Sequence, residues 1–222
     1  MKKYLLAVLA LGATMMMACE PANNDDNGGN GDGPAPVVAD YTLSTDVVGV
    51  MLESYGDIYQ FGLNDYNLTV SAVVIDEATR LPTTKMLFVE YMTELSNKTG
   101  EGVFGPAGIN WETLEGLAAN TYIDAAEIEG EIFGSGYIEM TGATYTVYDG
   151  IVSGNLTVKK EGENYVISGV LTTLKGKTLK IDYTGAATFD DYSNVGGGEL
   201  LSANKTVKAN KFFSSAAKFL KK

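Results

Sequence analysis

The chain has 222 residues, with 16 lysines and arginines against 28 aspartates and glutamates, and a formal net charge of −12. This length excludes fibrous and wholly disordered classes, since a domain of about 150 residues already buries about 70% of its unfolded surface. The chain contains no histidine and one cysteine, which excludes histidine-based nucleophilic catalysis, His-ligated zinc or haem, and internal disulfides. The acidic balance also argues against nucleic acid as a partner, because phosphate binding uses clustered Lys and Arg.

The first eighteen residues have the pattern of a signal peptide. Lys2 and Lys3 precede an apolar run over residues 4–18, which is shorter than the about 20 residues that a membrane-spanning helix needs. Cys19 directly follows the small residue Ala18 at the end of this run, and this ending resembles the lipobox of bacterial lipoproteins. The resemblance implies cleavage after residue 18, a diacylglycerol on the Cys19 sulfur and attachment to a membrane through acyl chains. A secretory signal peptide without lipidation is the alternative.

Residues 20–36 are acidic and rich in Gly, Asn and Pro, and they contain no large apolar side chain. Such a segment cannot bury enough surface to offset the entropy of ordering, so the sequence predicts a disordered stalk that spans about 20–25 Å. A lipidated cysteine followed closely by acidic residues resembles the surface-export signal of lipoproteins from the Bacteroidetes group. The resemblance implies a lipid-anchored protein of the outer membrane, displayed at the cell surface. A plain solvated spacer is the alternative.

From residue 37 to residue 199 the pattern changes to short β-rich segments separated by Gly, Asn and Asp. Residues 151–159, 165–173 and 178–184 alternate between apolar and polar side chains, and polar turns at residues 161–164 and 175–176 join them. Alternation with period two, joined by short turns, predicts an antiparallel meander with one solvated face.

The alternation assigns faces within this meander. Val152, Gly154, Leu156 and Val158 are predicted on one face of the first strand, and Leu179, Ile181 and Tyr183 are predicted to point inward from the third, opposite Lys180 and Asp182. The runs over residues 151–169 and 176–185 also resemble a group of Bacteroidetes lipoproteins of uncharacterised function. That resemblance supports the fold and the location, and it implies no chemistry.

Six upstream segments have the length and composition of strands, namely residues 58–63, 68–75, 86–95, 121–125, 132–140 and 144–148. Turns are predicted at Asn64-Asp65, at Pro82, at residues 100–102 and, as a two-residue hairpin, at Asp149-Gly150. No segment before residue 200 has helical periodicity of core length, although residues 112–119 could form one short helical turn. The predicted fold class is all-β, as an antiparallel β-sandwich or a soluble β-barrel of meandering hairpins.

Residues 200–222 differ in charge from the rest of the chain. They contain six lysines and no acidic residue, whereas residues 20–199 hold 28 acids and eight bases, a net charge of −20. Phe212, Phe213 and Phe219 fall on one helical face, so an amphipathic C-terminal helix is predicted. Three interpretations are open: packing against the acidic β-domain, binding to a membrane surface or partner, or an extended tail.

With histidine absent, carboxylates are the catalytic groups that remain, and a glycosidase needs two of them about 5–9.5 Å apart. Glu112 lies beside Trp111, the single tryptophan, and the two are candidate ligand-binding residues: an aromatic platform for a sugar ring with a carboxylate at its edge. A core tryptophan beside a solvated glutamate is the alternative.

Tyrosine is unusually frequent, with 13 in the chain. Four of them in the N-terminal half, Tyr55, Tyr59, Tyr66 and Tyr91, are candidates for a stacking surface that binds a glycan or a peptide, because Tyr offers a large contact area at a small cost in rotamer entropy. A role in the core is the alternative.

The lipobox, the stalk, the β-rich body and the absence of histidine together predict a lipid-anchored, surface-exposed protein whose β-domain is not an enzyme and has a binding or structural role. Its expected partners are the membrane, through the lipid anchor, and a glycan or protein ligand. No nucleic acid, cofactor or metal is expected, and no catalytic residue is assigned. Two alternatives remain: a small carboxylate-dependent carbohydrate-active enzyme, and a subunit of an adhesion or assembly structure.

Overall fold

The computed structural model describes residues 38–75, 77, 79–111, 113 and 115–193. The predicted signal peptide, Cys19, the stalk and the basic tail lie outside these residues. Within the described ranges the chain forms thirteen β-strands and no helix, which confirms the all-β fold class. The short helical turn considered for residues 112–119 is not formed at the described residues 113 and 115–119.

The strands vary from two to eighteen residues in length. In chain order they are β1 Tyr41–Leu43, β2 Val47–Gly56, β3 Leu63–Ile75, β4 Pro82–Glu94, β5 Gly102–Pro106, β6 Thr121–Tyr122, β7 Ala126–Ile128, β8 Glu131–Phe133, β9 Gly136–Thr141, β10 Thr144–Glu161, β11 Asn164–Thr173, β12 Thr178–Ala186 and β13 Thr188–Asp191.

Two antiparallel meanders make up most of the sheet. The first meander is β2-β3-β4 and the second is β10-β11-β12. Strand β4 of the first meander and strand β10 of the second are connected at both ends. At one end β9 pairs with both of them, and at the other end β6 pairs with β4, β5 pairs with β10, and β5 and β6 pair with each other. Strands β4, β6, β5, β10 and β9 therefore close into a five-stranded barrel.

The outer edges of the meanders exchange strands. Strand β1 precedes the first meander in sequence but pairs in parallel with β12 of the second, and β13 follows the second meander but pairs in parallel with β2 of the first. Each short strand covers part of an edge that would otherwise present unpaired backbone groups.

The inward faces of both meanders form one core. From the first meander it receives Leu52, Leu68 and Val70, and from the second Leu156 and Ile167, all of them fully buried. At about 1.5–3 kcal/mol for each fully buried large apolar side chain, this core is the main source of stability.

The second meander matches its prediction closely. Strands β10 and β11 meet at a two-residue turn between Glu161 and Asn164, and Gly176 supplies the left-handed backbone of the next turn. Leu179 and Ile181 are buried while Lys180 is exposed, as the alternation indicated.

A β-bulge in β10 changes which side chains face the core at the start of the segment predicted over residues 151–159. The register shifts between Ile151 and Ser153, so Ile151 is buried and Val152, which was expected inward, is only partly buried. A bulge inserts one extra residue and so reverses the side to which the preceding residues point. Further along, Leu156 and Val158 are buried as expected.

Several predictions for the upstream half were wrong. Residues 58–62 form a turn rather than a strand, because the Asp57 carboxylate accepts the backbone N–H groups of Phe61 and Gly62 at 2.8 and 2.9 Å and Gln60 takes a left-handed backbone. Pro82 opens β4 instead of forming a turn.

Two further corrections concern polar pairs that were assigned to turns. Asn64-Asp65 lies inside β3, and Asp149-Gly150 lies inside β10, which runs from one meander into the closed barrel. Asp149 is fully buried there. Both pairs have turn-like composition, but the pairing with neighbouring strands overrides that local preference.

Candidate functional site: a buried carboxylate cluster

Three neighbouring polar side chains on the outer face of the first meander come from β3 and β4. Asn67 on β3 lies directly opposite Glu90 on β4, and Asp65 is two residues before Asn67. Side chains two residues apart on a strand point to the same face, as do directly opposed residues on neighbouring strands. We call Asp65, Asn67 and Glu90 the carboxylate cluster.

The cluster is buried although it faces away from the main core. Asp65 is 4% exposed and Glu90 is 7% exposed. Next to it, a second apolar group forms around Met92, Ile109 and Ile123, and partly buried Tyr59, Leu63 and Trp111 pack against that group. The β2–β3 loop and the segment between β5 and β7 therefore both contribute apolar side chains on this side of the sheet.

Local hydrogen bonds fix the shapes of these two covering segments. The Asp57 carboxylate caps the β2–β3 loop, as described above, and Asp124 Oδ1 accepts the backbone N–H of Gly108 at 2.8 Å and of Ile109 at 3.3 Å. Both are side-chain-to-backbone bonds of the kind that Asp forms in turns.

Tyr59 reaches from the loop into the cluster. Its hydroxyl donates a hydrogen bond of 2.5 Å to Glu90 Oε1. Burial raises the pKa of Glu90 to about 7, although the bond from Tyr59 acts in the opposite direction. Burial, and then the charge of Glu90, raise the pKa of Asp65 well above its usual range. Two buried carboxylates that cannot both ionise freely are typical of functional sites.

Two buried oxygen atoms of the cluster have no hydrogen-bond partner among the described residues: Asp65 Oδ1 and Asn67 Oδ1. The Asn67 amide forms a hydrogen bond with Tyr55 that lowers the Tyr55 pKa, but burial raises it by more. Buried polar atoms are almost always hydrogen-bonded, so two unpartnered oxygens on one face of β3 require a physical explanation.

The structure separates the tyrosines that the sequence grouped. Tyr55 and Tyr59 belong to the surroundings of the carboxylate cluster. Tyr66 and Tyr91 are fully buried in the main core, and their hydroxyls donate to the backbone oxygens of Asn97 and Gly100. They therefore do not form an exposed stacking surface, and the core role given as the alternative applies to them.

Trp111 is partly buried in the second apolar group, with its ring centroid 6.1 Å from that of Phe133. Its neighbour Glu112 lies outside the described residues. The structure thus places Trp111 on the same side of the molecule as Met92 and Tyr59, and it leaves the predicted tryptophan–glutamate pair as a prediction.

Asn67 and Glu90 were not among the candidates from the sequence, and Asp65 was assigned to a solvated turn. A signal for two of them was present, because residues 65–72 alternate strictly between polar and apolar side chains, as a half-buried strand does. The turn-like composition of Asn64-Asp65 concealed it. No local pattern predicts that the polar side of this strand is covered.

Among the described residues, nothing covers this outer face at the opposite end of β3. One row of directly opposed residues crosses four strands, from Val73 through Thr84 and Met140 to Tyr145. Tyr145 is 63% exposed, and Ile75, one row further out, is 53% exposed. We call these five residues the tip face. Exposed apolar side chains that adjoin one another are typical of interaction surfaces.

None of the described residues belongs to a helix long and apolar enough to cross a membrane. Among the described residues, no three His, Cys, Asp or Glu side chains are grouped so that they could hold a metal ion by themselves. No protein-family model, curated protein or solved structure shows a significant match to the chain.

Proposed function

We propose that the chain is a lipid-anchored outer-membrane protein, displayed at the cell surface, whose β-domain binds a protein partner without catalysing a reaction. The lipobox resemblance at Cys19 and the acidic stalk support the anchoring and the location. The observation that carries the binding role is the tip face, where Val73, Ile75 and Tyr145 are exposed on the same side of the sheet formed by β3, β4, β9 and β10.

The composition of the tip face favours a protein partner. Protein interfaces are enriched in aromatic residues and methionine and depleted of charge at their centre. The row from Val73 to Tyr145 contains Thr84 and Met140 and no charged side chain. A glycan is the alternative ligand, and it would need hydrogen-bonding side chains around an aromatic platform.

The alternative of a carboxylate-dependent enzyme receives less support. Asp65 and Glu90 form a carboxylate pair, and a pKa of about 7 at Glu90 suits a general acid. Both side chains are nevertheless buried, and Tyr59 occupies one oxygen of Glu90. A sugar ring therefore has no access to the pair in this arrangement.

Two experiments test the proposal. Metabolic labelling with a fatty-acid analogue should mark the wild-type chain and not Cys19→Ser, and equal labelling of both would contradict the lipid anchor. Photo-crosslinking side chains introduced at Ile75 or Tyr145 in intact cells should yield a discrete crosslinked protein. Val170 is the control, because it is also apolar and is 42% exposed, but it lies on β11, which contributes no residue to the tip face.

The outcome at the tip face decides between the alternatives. Crosslinks from Ile75 and Tyr145 but not from Val170 would support the protein-binding role. Crosslinks from all three positions, or from none, would contradict it. Hydrolysis of a glycan panel by the wild-type chain, lost in Glu90→Gln, would favour the enzyme instead.

A further inference from the structure

We propose that Asp65, Asn67 and Glu90 bind a calcium ion on the outer face of the first meander. The inference does not depend on the proposed function, because the cluster and the tip face lie at different ends of β3. It rests on the arrangement of three oxygen-bearing side chains and on two buried oxygens that lack a partner.

The register of β3 and β4 places the three side chains next to one another on one face of the sheet. Asn67 and Glu90 are directly opposed, and Asp65 is on the same face one step along β3. Directly opposed side chains have Cβ atoms about 4.5–5.5 Å apart, and diagonal neighbours are within reach of longer side chains. Three oxygen ligands from two adjacent strands can therefore converge on one ion.

The unpartnered oxygens point to a ligand rather than to a structural network. Asp65 is almost completely buried, and among the described residues neither its Oδ1 nor the buried Oδ1 of Asn67 has a hydrogen-bond partner. A donor from the protein would normally satisfy such atoms. A cation would satisfy both at once, because carboxylate and amide oxygens are both ligands of hard metal ions.

Among the described residues, no lysine or arginine forms an ion pair with Asp65 or Glu90. Within the described ranges, the ion pairs formed by Lys85, Lys159, Lys177 and Lys180 involve other acidic residues. Two buried carboxylates without a basic partner must hold a proton or bind a cation. A divalent ion balances the charge of both.

The ligand chemistry selects calcium among the divalent ions. All three side chains offer oxygen, and the cluster contains no histidine or cysteine, which disfavours zinc and copper. Calcium accepts irregular sets of oxygen ligands at 2.3–2.6 Å and completes its shell with water, whereas magnesium requires near-ideal octahedral geometry. Three ligands fixed on a twisted β-sheet suit the less demanding ion.

Tyr59 is expected to position Glu90 in this site. Its hydroxyl donates to Glu90 Oε1, so the carboxylate can keep this bond and turn its second oxygen toward the ion. Ligating carboxylates are commonly oriented by such hydrogen bonds. The tyrosine rings also provide a test, because a phenol ring close to a bound terbium ion transfers excitation energy to it.

The test uses the full chain with Cys19→Ser, after treatment with a chelator. Terbium added to this protein should give tyrosine-excited emission that saturates at one ion per chain, and calcium should displace it. Calcium should also raise the midpoint of thermal unfolding. Asp65→Asn and Glu90→Gln should each weaken terbium binding at least tenfold, while Asp182→Asn, an exposed carboxylate of the second meander, should leave it unchanged.

Asn67→Ala provides an independent variant that keeps both carboxylates, and it too should weaken binding. Far-ultraviolet circular dichroism of each variant checks that it is folded. Absence of saturable emission, or equal emission from the Asp65→Asn/Glu90→Gln double variant, would overturn the proposal. So would a midpoint that rises with magnesium and not with calcium.

Discussion

The two meanders have the same architecture, but the polar side chains on their outer faces differ in exposure to solvent. Each has three antiparallel strands, an edge covered by a short parallel strand from the other half, and an inner face in the common core. On the outer face of the second meander, Asn155, Lys159 and Asp182 are exposed to solvent. On the first meander, the equivalent side buries Asp65 and Glu90.

The difference arises from the connections rather than from the strands. The second meander uses a two-residue turn after Glu161 and a four-residue turn after Thr173, which are too short to fold back over the sheet. In the first meander, residues 57–62 form a longer loop that places Tyr59 against Glu90. Similar strands can therefore present a solvated surface or a buried polar site, depending on the length of a loop.

The largest expected effect concerns what the two meanders share. Leu68 and Leu156 are both almost fully buried in the main core, one from each meander. Leu68→Ala and Leu156→Ala should each lower the free energy of unfolding by about 2–5 kcal/mol, because each leaves a cavity and loses apolar burial. Urea denaturation measures both.

Similar losses would show that the meanders contribute to one cooperative core. If one variant lost less than about 1 kcal/mol while the other lost several, the halves would differ in their interiors as well as their surfaces. Val170→Ala, at an exposed apolar position of the second meander, is the control and should change the free energy of unfolding little.

The next largest effect is a pH dependence of stability that arises on the outer face of the first meander, where Asp65 and Glu90 are buried. Burial raises the pKa of Glu90 to about 7 in the folded chain, so the folded state holds a proton that the unfolded state releases near its usual pKa of about 4.5. The contribution of Glu90 to the free energy of unfolding is therefore fully present below about pH 4.5 and is lost as the pH rises through 7. The raised pKa of Asp65 acts with the same sign. Between pH 5 and pH 8.5 the expected loss is on the order of 3 kcal/mol.

Chemical denaturation across this pH range, with a chelator present, measures the loss. Glu90→Gln should reduce the slope, since glutamine does not titrate, while Asp65 and Glu53, whose pKa values burial also raises, continue to titrate. Asp40, Glu101 and Asp191 have lowered pKa values because they accept hydrogen bonds, so they titrate below this range. An unchanged slope in Glu90→Gln would contradict the assignment.

The contrast between the faces also explains how far the sequence could be interpreted. Where one face is solvated, as along residues 178–184, alternation directly indicates which side chains are buried, and Leu179, Lys180 and Ile181 were placed correctly. Where both faces are covered, polar and apolar residues are both buried. Asn64-Asp65 then has the composition of a turn, although it lies inside a strand.

Long-range pairing accounts for the other errors. Asp149-Gly150 has a typical hairpin composition, but β9 on one side holds it in an extended strand, with Asp149 opposite Tyr137. The exchange of β1 and β13 between the meanders and the closure of the barrel depend on contacts between residues far apart in the chain. No window of a few residues contains that information. The carboxylate cluster was missed for the same reason, because its burial depends on Tyr59 and on segments that are distant in sequence from Glu90.

The smallest effect is expected on the solvated face. Asp182 and Lys180 form an ion pair of 3.8 Å with both side chains about half exposed. Such pairs are screened by solvent, so Asp182→Asn should change the free energy of unfolding by less than about 0.5 kcal/mol, and its pH profile should match that of the wild type. Asp65→Asn removes the same charge from the covered face, and above pH 7 in the presence of a chelator it should instead stabilise the chain, because it removes a buried negative charge. If Asp182→Asn changed stability by 1 kcal/mol or more, the second meander would not be solvated in the intact chain. A further segment would then cover it, and the two outer faces would be more alike than the described residues indicate.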